Sequence, residues 1–187
     1  MSTTPATPAT GASTWNIDPV HSMAEFRVRH MMISNVRGRF TGVSGKLAYD
    51  GGDPTKSSVE ASIEVSTLDT RDPQRDTHLK SPDFFDAEKF PTLTFHSSHV
   101  TRKGDGNIIV AGPLTIHGIT REVEFEVEGP TPAVKDPWGN TRIGVSASTK
   151  IDRREFGLTF NAALETGGVM VGDEVSITLE LEFVQAA

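Results

Sequence analysis

Several stretches of this chain alternate apolar and polar residues, and this alternation limits the folds that the chain can adopt. Successive side chains of a β-strand point to opposite faces of the sheet, so this alternation predicts strands with one buried and one solvated face. The clearest apolar rows are Val59, Ala61, Ile63 and Val65; Val123, Phe125 and Val127; and Val175, Ile177, Leu179, Leu181 and Phe183. The pattern therefore predicts an all-β fold.

Further strands are predicted over residues 22–30, 92–100, 108–116 and 142–151, for a total of about eight. The interval 71–90 breaks the alternation, is rich in charge and contains Phe84, Phe85 and Phe90. It predicts one or two short helices that form a lid or plug. With so little helix, the strands bury their apolar faces either in a sandwich or in a closed barrel.

The interior of such a barrel is either filled by side chains or holds one small ligand. Small residues recur on the predicted inner faces, at Ala24, Ala61, Gly112, Gly144, Ala147 and Gly157. They leave room for a ligand, and a bound lipid would restore the contacts that an empty void lacks. The alternative is that small and large residues interdigitate in a solid core, and the periodicity leaves both interpretations open.

Composition narrows the class of protein. A length of 187 residues suits one domain, and residues 1–14, made mostly of Ser, Thr, Pro, Ala and Gly, predict a disordered tail before a domain at 15–187. The net charge of −7 argues against nucleic acid binding, and the absence of cysteine excludes disulfides and thiolate metal sites. No export signal or long apolar run is present, so we expect a cytoplasmic protein without stable membrane insertion.

Histidine is the residue type best suited to sharper chemistry, since converging imidazoles bind transition metals. His30 is predicted to point inward, whereas His96 and His99 face opposite sides of a strand. Hydrogen bonding in turns and strand ends is the simpler role for these side chains. The adjacent His21 and Ser22 also point to opposite faces, which argues against a shared proton and a catalytic triad.

Polar and sulfur-containing residues near the predicted lid admit two roles each. Arg75, Asp76 and His78 either close the cavity mouth and meet a headgroup, or pin the lid to the barrel through a turn cap and an ion pair. Arg153 and Arg154 suit a surface salt bridge better than anion binding. Met31 and Met32 offer adaptable apolar surface that suits a cavity entrance.

Motifs along most of the chain resemble the YceI-like family. They are WNIDPVHS at 15–22, FRVRH at 26–30, VRGRF at 36–40, TRD at 70–72, RDTHL at 75–79, SPDFFD at 81–86, FPTLTF at 90–95, GPLTIHGIT at 112–120 and DRREFGL at 152–158. The resemblance implies a single eight-stranded antiparallel lipocalin-like barrel with a short helical lid segment. It also implies an elongated cavity for polyisoprenoid, quinone or fatty-acid chains, commonly in dimeric proteins.

On this basis we predict non-catalytic binding, sequestration or transport of a long apolar ligand, with no cofactor beyond the lipid, no metal and a homodimeric assembly. The predicted ligand contacts are Phe26, Val28, His30, Phe40, Ile63, Phe84, Phe85, Phe95, Leu114, Phe125, Ala147 and Phe156. Arg75, Asp76 and His78 are the predicted headgroup or lid residues. The alternatives are an enzyme or metal-binding protein that uses cavity histidines, and an interaction module with a solid interior.

Overall fold

A computed structural model describes residues 11–187. The strands are β1 (Ser13–Ile17), β2 (Met23–His30), β3 (Ser34–Phe40), β4 (Val43–Tyr49), β5 (Ser58–Glu64), β6 (Leu68–Asp69), β7 (Thr92–His96), β8 (His99–Arg102), β9 (Ile108–Ile116), β10 (Ile119–Glu128), β11 (Val134–Lys135), β12 (Thr141–Asp152) and β13 (Val171–Gln185). Helix α1 spans Pro73–Lys80, and short 3-10 turns occupy Pro19–His21, Pro54–Lys56, Val65–Thr67 and Arg153–Phe156. Every strand pairing among these residues is antiparallel.

Within residues 11–187 these elements form a closed barrel of eight long strands, because several are consecutive pieces of one strand. Strands β1 and β2 are two pieces of one long strand, since both pair with β13. In the same way β3 and β4 pair with β2 and β1, and β6 and β5 pair with β3 and β4. Strands β7 and β8 both pair with β9. Strands β9, β10, β12 and β13 complete the set, and the β12–β13 pairing closes the cylinder. The predicted eight-stranded antiparallel barrel with a short helical lid segment is confirmed.

The barrel wall begins slightly earlier than the composition predicted. Residues 1–10 of the predicted tail lie outside the described residues. Ser13 and Thr14, however, pair with Tyr49 and Ala48 of β4 and so belong to β1. Composition shows only that these residues are polar. It does not show that the backbone of a polar residue pairs with a neighbouring strand.

Helix α1 lies at one end of the barrel, between β6 and β7. It begins after Asp72, whose carboxylate accepts hydrogen bonds from the backbone N–H groups of Gln74 and Arg75, and Pro73 occupies its first turn. The segment that follows packs its aromatic rings inward: Phe85 meets Phe40 edge to face, with 5.7 Å between ring centroids. We call this the lid end, which also carries the β2–β3 and β9–β10 turns and residues 153–170. None of the helices in residues 11–187 is long and apolar enough to span a bilayer.

Candidate functional site

The barrel interior contains a cavity of about 250 Å³. This volume is close to the lower end of the roughly 300–1,000 Å³ typical of ligand pockets and far above the roughly 30 Å³ that one water occupies. The cavity runs from Leu79 and Phe84 at the lid end to Pro54 and Pro130 at the opposite end. The interior is therefore hollow, which contradicts the alternative of a solid core.

Ten of the twelve predicted ligand contacts line this cavity. They are Phe26, Val28, Phe40, Ile63, Phe84, Phe85, Phe95, Leu114, Phe125 and Ala147. Two aromatic pairs among them pack together, since Phe26 and Phe40 have ring centroids 5.9 Å apart and Phe95 meets Phe125 edge to face at 5.1 Å. Their contact with a ligand stays a prediction.

His30 and Phe156 do not line the cavity, so the structure corrects these two positions. His30 lies at the last position of β2, where the chain turns away, whereas Ala24, Phe26 and Val28 of that row reach the interior space. Phe156 has no exposed surface and packs within the solid part of the core, at the end of the 3-10 turn. Alternation assigns a face to a side chain, but it does not show where along the barrel the space ends.

Several lining residues were absent from the prediction. The apolar row of β13 contributes Val175, Ile177, Leu179, Leu181 and Phe183, and helix α1 contributes Leu79. The sequence predicted the β13 row as a strand but not as a ligand contact. In a hollow barrel every inward-facing row is a candidate, and this rule would have included the β13 row. Solvent-exposed lining residues occur at Glu25, Ser58 and Gly129, so the cavity is not sealed from the surface.

Arg153 is the least expected lining residue, because it is a buried cation. Its side chain is only 5% exposed, and its guanidinium donates hydrogen bonds to the carbonyl oxygens of Gly172, Leu158, Phe160 and Val171. Burial lowers the pKa of this guanidinium, although arginine stays protonated in proteins. The predicted salt bridge of Arg153 is therefore present but not on the surface, since Nη2 of this buried side chain lies 3.7 Å from Asp173 Oδ1. The exposed Arg154 pairs with Asp152 at 2.6 Å, as predicted.

The predicted headgroup residues hold the lid instead of lining the cavity. The Asp76 carboxylate accepts hydrogen bonds from the backbone N–H and the hydroxyl of Thr70, next to β6. Arg75 donates from Nε to Thr70 Oγ1 and from Nη2 to Thr70 O, both at 2.8 Å, and His78 Nε2 lies 2.8 Å from Asp83 Oδ2. These contacts fit the structural one of the two predicted roles of Arg75, Asp76 and His78, and contact with a headgroup stays a prediction.

Met31 and Met32 occupy the turn between β2 and β3. Neither residue lines the cavity, and both are exposed. The structure therefore places them on the outer surface of the lid end, and their role at a cavity entrance stays a prediction.

Potential metal ligands converge once within residues 11–187, at Asp18, His21 and Glu182. An arginine already occupies this cluster: Arg142 Nη1 lies 2.6 Å from both Asp18 Oδ2 and Glu182 Oε1, and its Nε lies 2.7 Å from Asp136 Oδ2. Hydrogen bonds from His21 and Arg142 lower the pKa of the Asp18 carboxyl to about 2. The guanidinium thus supplies the positive charge that these carboxylates need.

The histidines do not assemble into a cavity site. None of the six lines the cavity in the part of the chain that the structure describes. The Nδ1 atom of His117 is buried without a hydrogen-bond partner, and the ring packs against Phe90 with centroids 5.0 Å apart. The alternative of an enzyme or metal protein built on cavity histidines therefore lacks its central residue, His30.

Comparisons with known proteins agree on one family. The profile of the YceI-like domain matches residues 15–183. A UPF0312 protein of Staphylococcus aureus is 37% identical over 170 residues, which cover 90% of this chain and 96% of the relative.

Solved structures share the fold. Burkholderia cenocepacia BcnA superposes with a TM-score of 0.75 at 24% identity, covering 89% of this chain and 98% of BcnA. A polyisoprenoid-binding domain from Saccharophagus degradans, implicated in plant cell wall breakdown, superposes with a TM-score of 0.65 at 15% identity and covers 92% of this chain and 98% of that domain. At these identities the superpositions establish the architecture of the barrel.

Proposed function

Because the chain belongs to the family of YceI-like domains, we propose that it binds one long apolar lipid of the polyisoprenoid, quinone or fatty-acid class inside its barrel. The protein performs no covalent chemistry on this lipid and needs no further cofactor. The observation that carries the proposal is the apolar cavity of about 250 Å³, which extends between the two ends of the barrel. The structural neighbour from Saccharophagus degradans supports the choice of ligand class, since it is described as polyisoprenoid-binding.

The affinity for such a ligand comes from partition out of water. Burial of one methylene group contributes about 0.8 kcal/mol, so a dozen contribute a gross gain of about 10 kcal/mol before the cost of immobilisation. Few hydrogen bonds are required, which fits a lining made almost entirely of aliphatic and aromatic side chains. A cavity of this kind would cost stability without a ligand, because its walls would lack contacts, and a hydrocarbon chain supplies them.

The test is organic extraction of the freshly purified protein, followed by mass spectrometry of the extract. We expect a co-purifying lipid with one long hydrocarbon chain. The delipidated protein is then titrated with a homologous series of fatty acids or prenols, and the affinity is expected to rise with chain length until the cavity is full. Affinities that stay flat across the series, together with an extract free of lipid, would contradict the proposal.

Three further features stay predictions. Sequestration or carriage is the proposed use of the bound lipid, the assembly is predicted to be a homodimer, and the location is predicted to be cytoplasmic. Transfer of a fluorescent lipid between vesicles measures carriage, analytical ultracentrifugation measures the assembly, and cell fractionation measures the location.

A further inference from the structure

The outer face of the β2–β3 hairpin concentrates positive charge on an acidic protein. Residues 23–40 contain four arginines and a single glutamate, whereas the whole chain has a net charge of −7. Arg39 pairs with Asp69, with 3.2 Å between Nη2 and Oδ2. Within residues 11–187, no carboxylate lies at ion-pair distance from Arg27, Arg29 or Arg37.

The strand register increases this charge imbalance. Arg27 lies directly opposite Arg37 across the hairpin, and like charges at facing positions repel. On its other side β2 pairs with β13, where the residue opposite Arg27 is the neutral Ser176. The fold therefore brings exposed arginines together without supplying the anions that would neutralise them.

The tip of the same hairpin presents large apolar side chains in an unfavourable backbone conformation. Met31 and Met32 have φ angles of 49° and 62°, and the turn is closed by a hydrogen bond of 3.1 Å from Ile33 N to His30 O. A β-turn with positive φ at both central residues favours Asn-Gly, because other side chains are strained in this conformation. Met31, Met32 and Ile33 are nevertheless 41%, 53% and 77% exposed. A strained turn that holds apolar residues in solvent points to a function for those side chains.

We propose that the β2–β3 hairpin docks the barrel onto an anionic lipid bilayer. Met31, Met32 and Ile33 enter the boundary between headgroups and acyl chains, and Arg27, Arg29 and Arg37 contact the lipid phosphates. Apolar residues at a tip flanked by arginines suit this interface, since the side chains can reach the phosphates while the tip is buried. A soluble polyanion would neutralise the arginines but leave the apolar tip in water.

Membrane docking is a separate property from lipid binding in the cavity. Docking can be disproved while cavity binding remains supported. The two are joined in the same hairpin, because Phe26 and Val28 on its inner face line the cavity while the arginines lie on its outer face. The hairpin would thus bring one wall of the cavity to the membrane.

The experiment is co-sedimentation of the full chain with phosphatidylcholine vesicles, prepared with and without phosphatidylglycerol. We expect binding to the anionic vesicles and its reduction at high salt, because salt screens the arginines. Removal of two arginines in Arg27→Gln/Arg37→Gln is expected to weaken binding by about fivefold per arginine. The matched control Arg102→Gln/Lys135→Gln changes the net charge equally at the opposite end of the barrel and is expected to bind like the wild type.

A second variant tests the tip without risk to the fold. Met31→Asn/Met32→Gly installs the residues that this turn favours, so the barrel should be at least as stable while vesicle binding is lost. Val134→Asn removes an exposed apolar residue at the opposite end of the barrel and serves as its control.

Equal binding to neutral and anionic vesicles, no binding to either, or wild-type binding by the arginine variant would each overturn the proposal. Capture of double-stranded DNA by a protein that ignores the vesicles would overturn it as well. Titration of the same variants with a fluorescent fatty acid keeps the two proposals separate, since cavity binding is expected to be unchanged.

Discussion

At the scale of single residues, Arg153 shows how a charge helps to build an apolar cavity. Its guanidinium donates hydrogen bonds to carbonyl oxygens of Leu158 and Phe160, in the connection before β13, and of Val171 and Gly172, at the start of β13. A carbonyl that is buried without a donor is costly, so one multivalent donor stabilises several of them at once. Arg153 thereby holds the loop before β13 against the lid end.

We expect Arg153→Met to lower the free energy of unfolding by about 3–5 kcal/mol, because the buried carbonyls lose their donor. Urea denaturation measures this loss. The neighbouring Arg154→Met removes an exposed arginine whose ion pair is screened by solvent, and it is expected to cost much less than Arg153→Met. Equal losses in the two variants would show that Arg153 does not have this structural role.

A second prediction concerns the cluster of Asp18 and Arg142. The pKa of the Asp18 carboxyl falls from 3.8 to about 2 in the folded protein, so its ion pair contributes stability above pH 4 that is lost as the pH falls towards 2. Asp18→Asn is expected to lower the free energy of unfolding at pH 7 by about 1 kcal/mol. The difference from the wild type should shrink between pH 4 and pH 2.

Urea denaturation across this pH range checks the prediction, with Glu165→Gln as a control. Glu165 is exposed and forms no ion pair in the part of the chain that the structure describes. A difference that persists unchanged down to pH 2 would argue against the ion pair as the source of the stability.

The sequence predicts which face of the sheet a side chain occupies better than it predicts whether that side chain is buried in the core or reaches the cavity. Phe95 and Phe125 were correctly placed inside because each sits in an alternating strand. Phe156 was misplaced because the strand ends at Asp152 and the chain enters a 3-10 turn, where the two-residue period stops. The burial of Arg153 depends on carbonyl groups from residues 158–172, and no local pattern reveals that contact.

At the scale of elements, the interruptions in the strands are as informative as the strands. The predicted strand at 92–100 is divided into β7 and β8, and the chain at Ser97 and Ser98 departs from the regular ladder. Gly112 of β9 lies opposite this break, and a Cβ atom there would lie 1.8 Å from the carbonyl oxygen of His96. The sequence gives a glycine at this place, but only the paired strands show that it is needed for close approach.

Gly112→Ala is therefore expected to destabilise the protein by about 1–3 kcal/mol, because the added methyl group meets backbone that cannot easily move. The matched change Gly104→Ala places a methyl group where no atom lies within 4 Å, and it should have little effect. Thermal unfolding followed by circular dichroism compares the two. A Gly112→Ala protein as stable as the wild type would mean that β7 and β8 can shift without loss of pairing.

For the molecule as a whole, the alternation predicted an all-β fold, either a sandwich or a closed barrel, and the resemblance to the YceI-like family favoured the barrel. The same pattern could not decide between a solid and a hollow interior, since both place identical residue types on the inner face. The volume depends on how far apart opposite walls stand, and that is fixed by strand number and stagger. A cavity is therefore a property of the assembled barrel, although small inward residues such as Ala147 indicate it.

The substitution Ala147→Phe tests for the cavity, because a hollow and a solid interior predict opposite changes in the free energy of unfolding. Ala147 lines the cavity on β12, and a phenyl ring in a solid core would cost about 1–3 kcal/mol through overpacking. In a hollow barrel the ring fills empty space, so the delipidated variant is expected to gain up to about 1.5–3 kcal/mol in its free energy of unfolding. The same ring takes the place of part of the ligand, so long-chain lipid should bind more weakly.

Ser148→Phe, one residue along and on the outer face, is expected to alter neither the free energy of unfolding nor the lipid affinity. A destabilised Ala147→Phe protein that still extracts the wild-type amount of lipid would place the ligand outside the barrel.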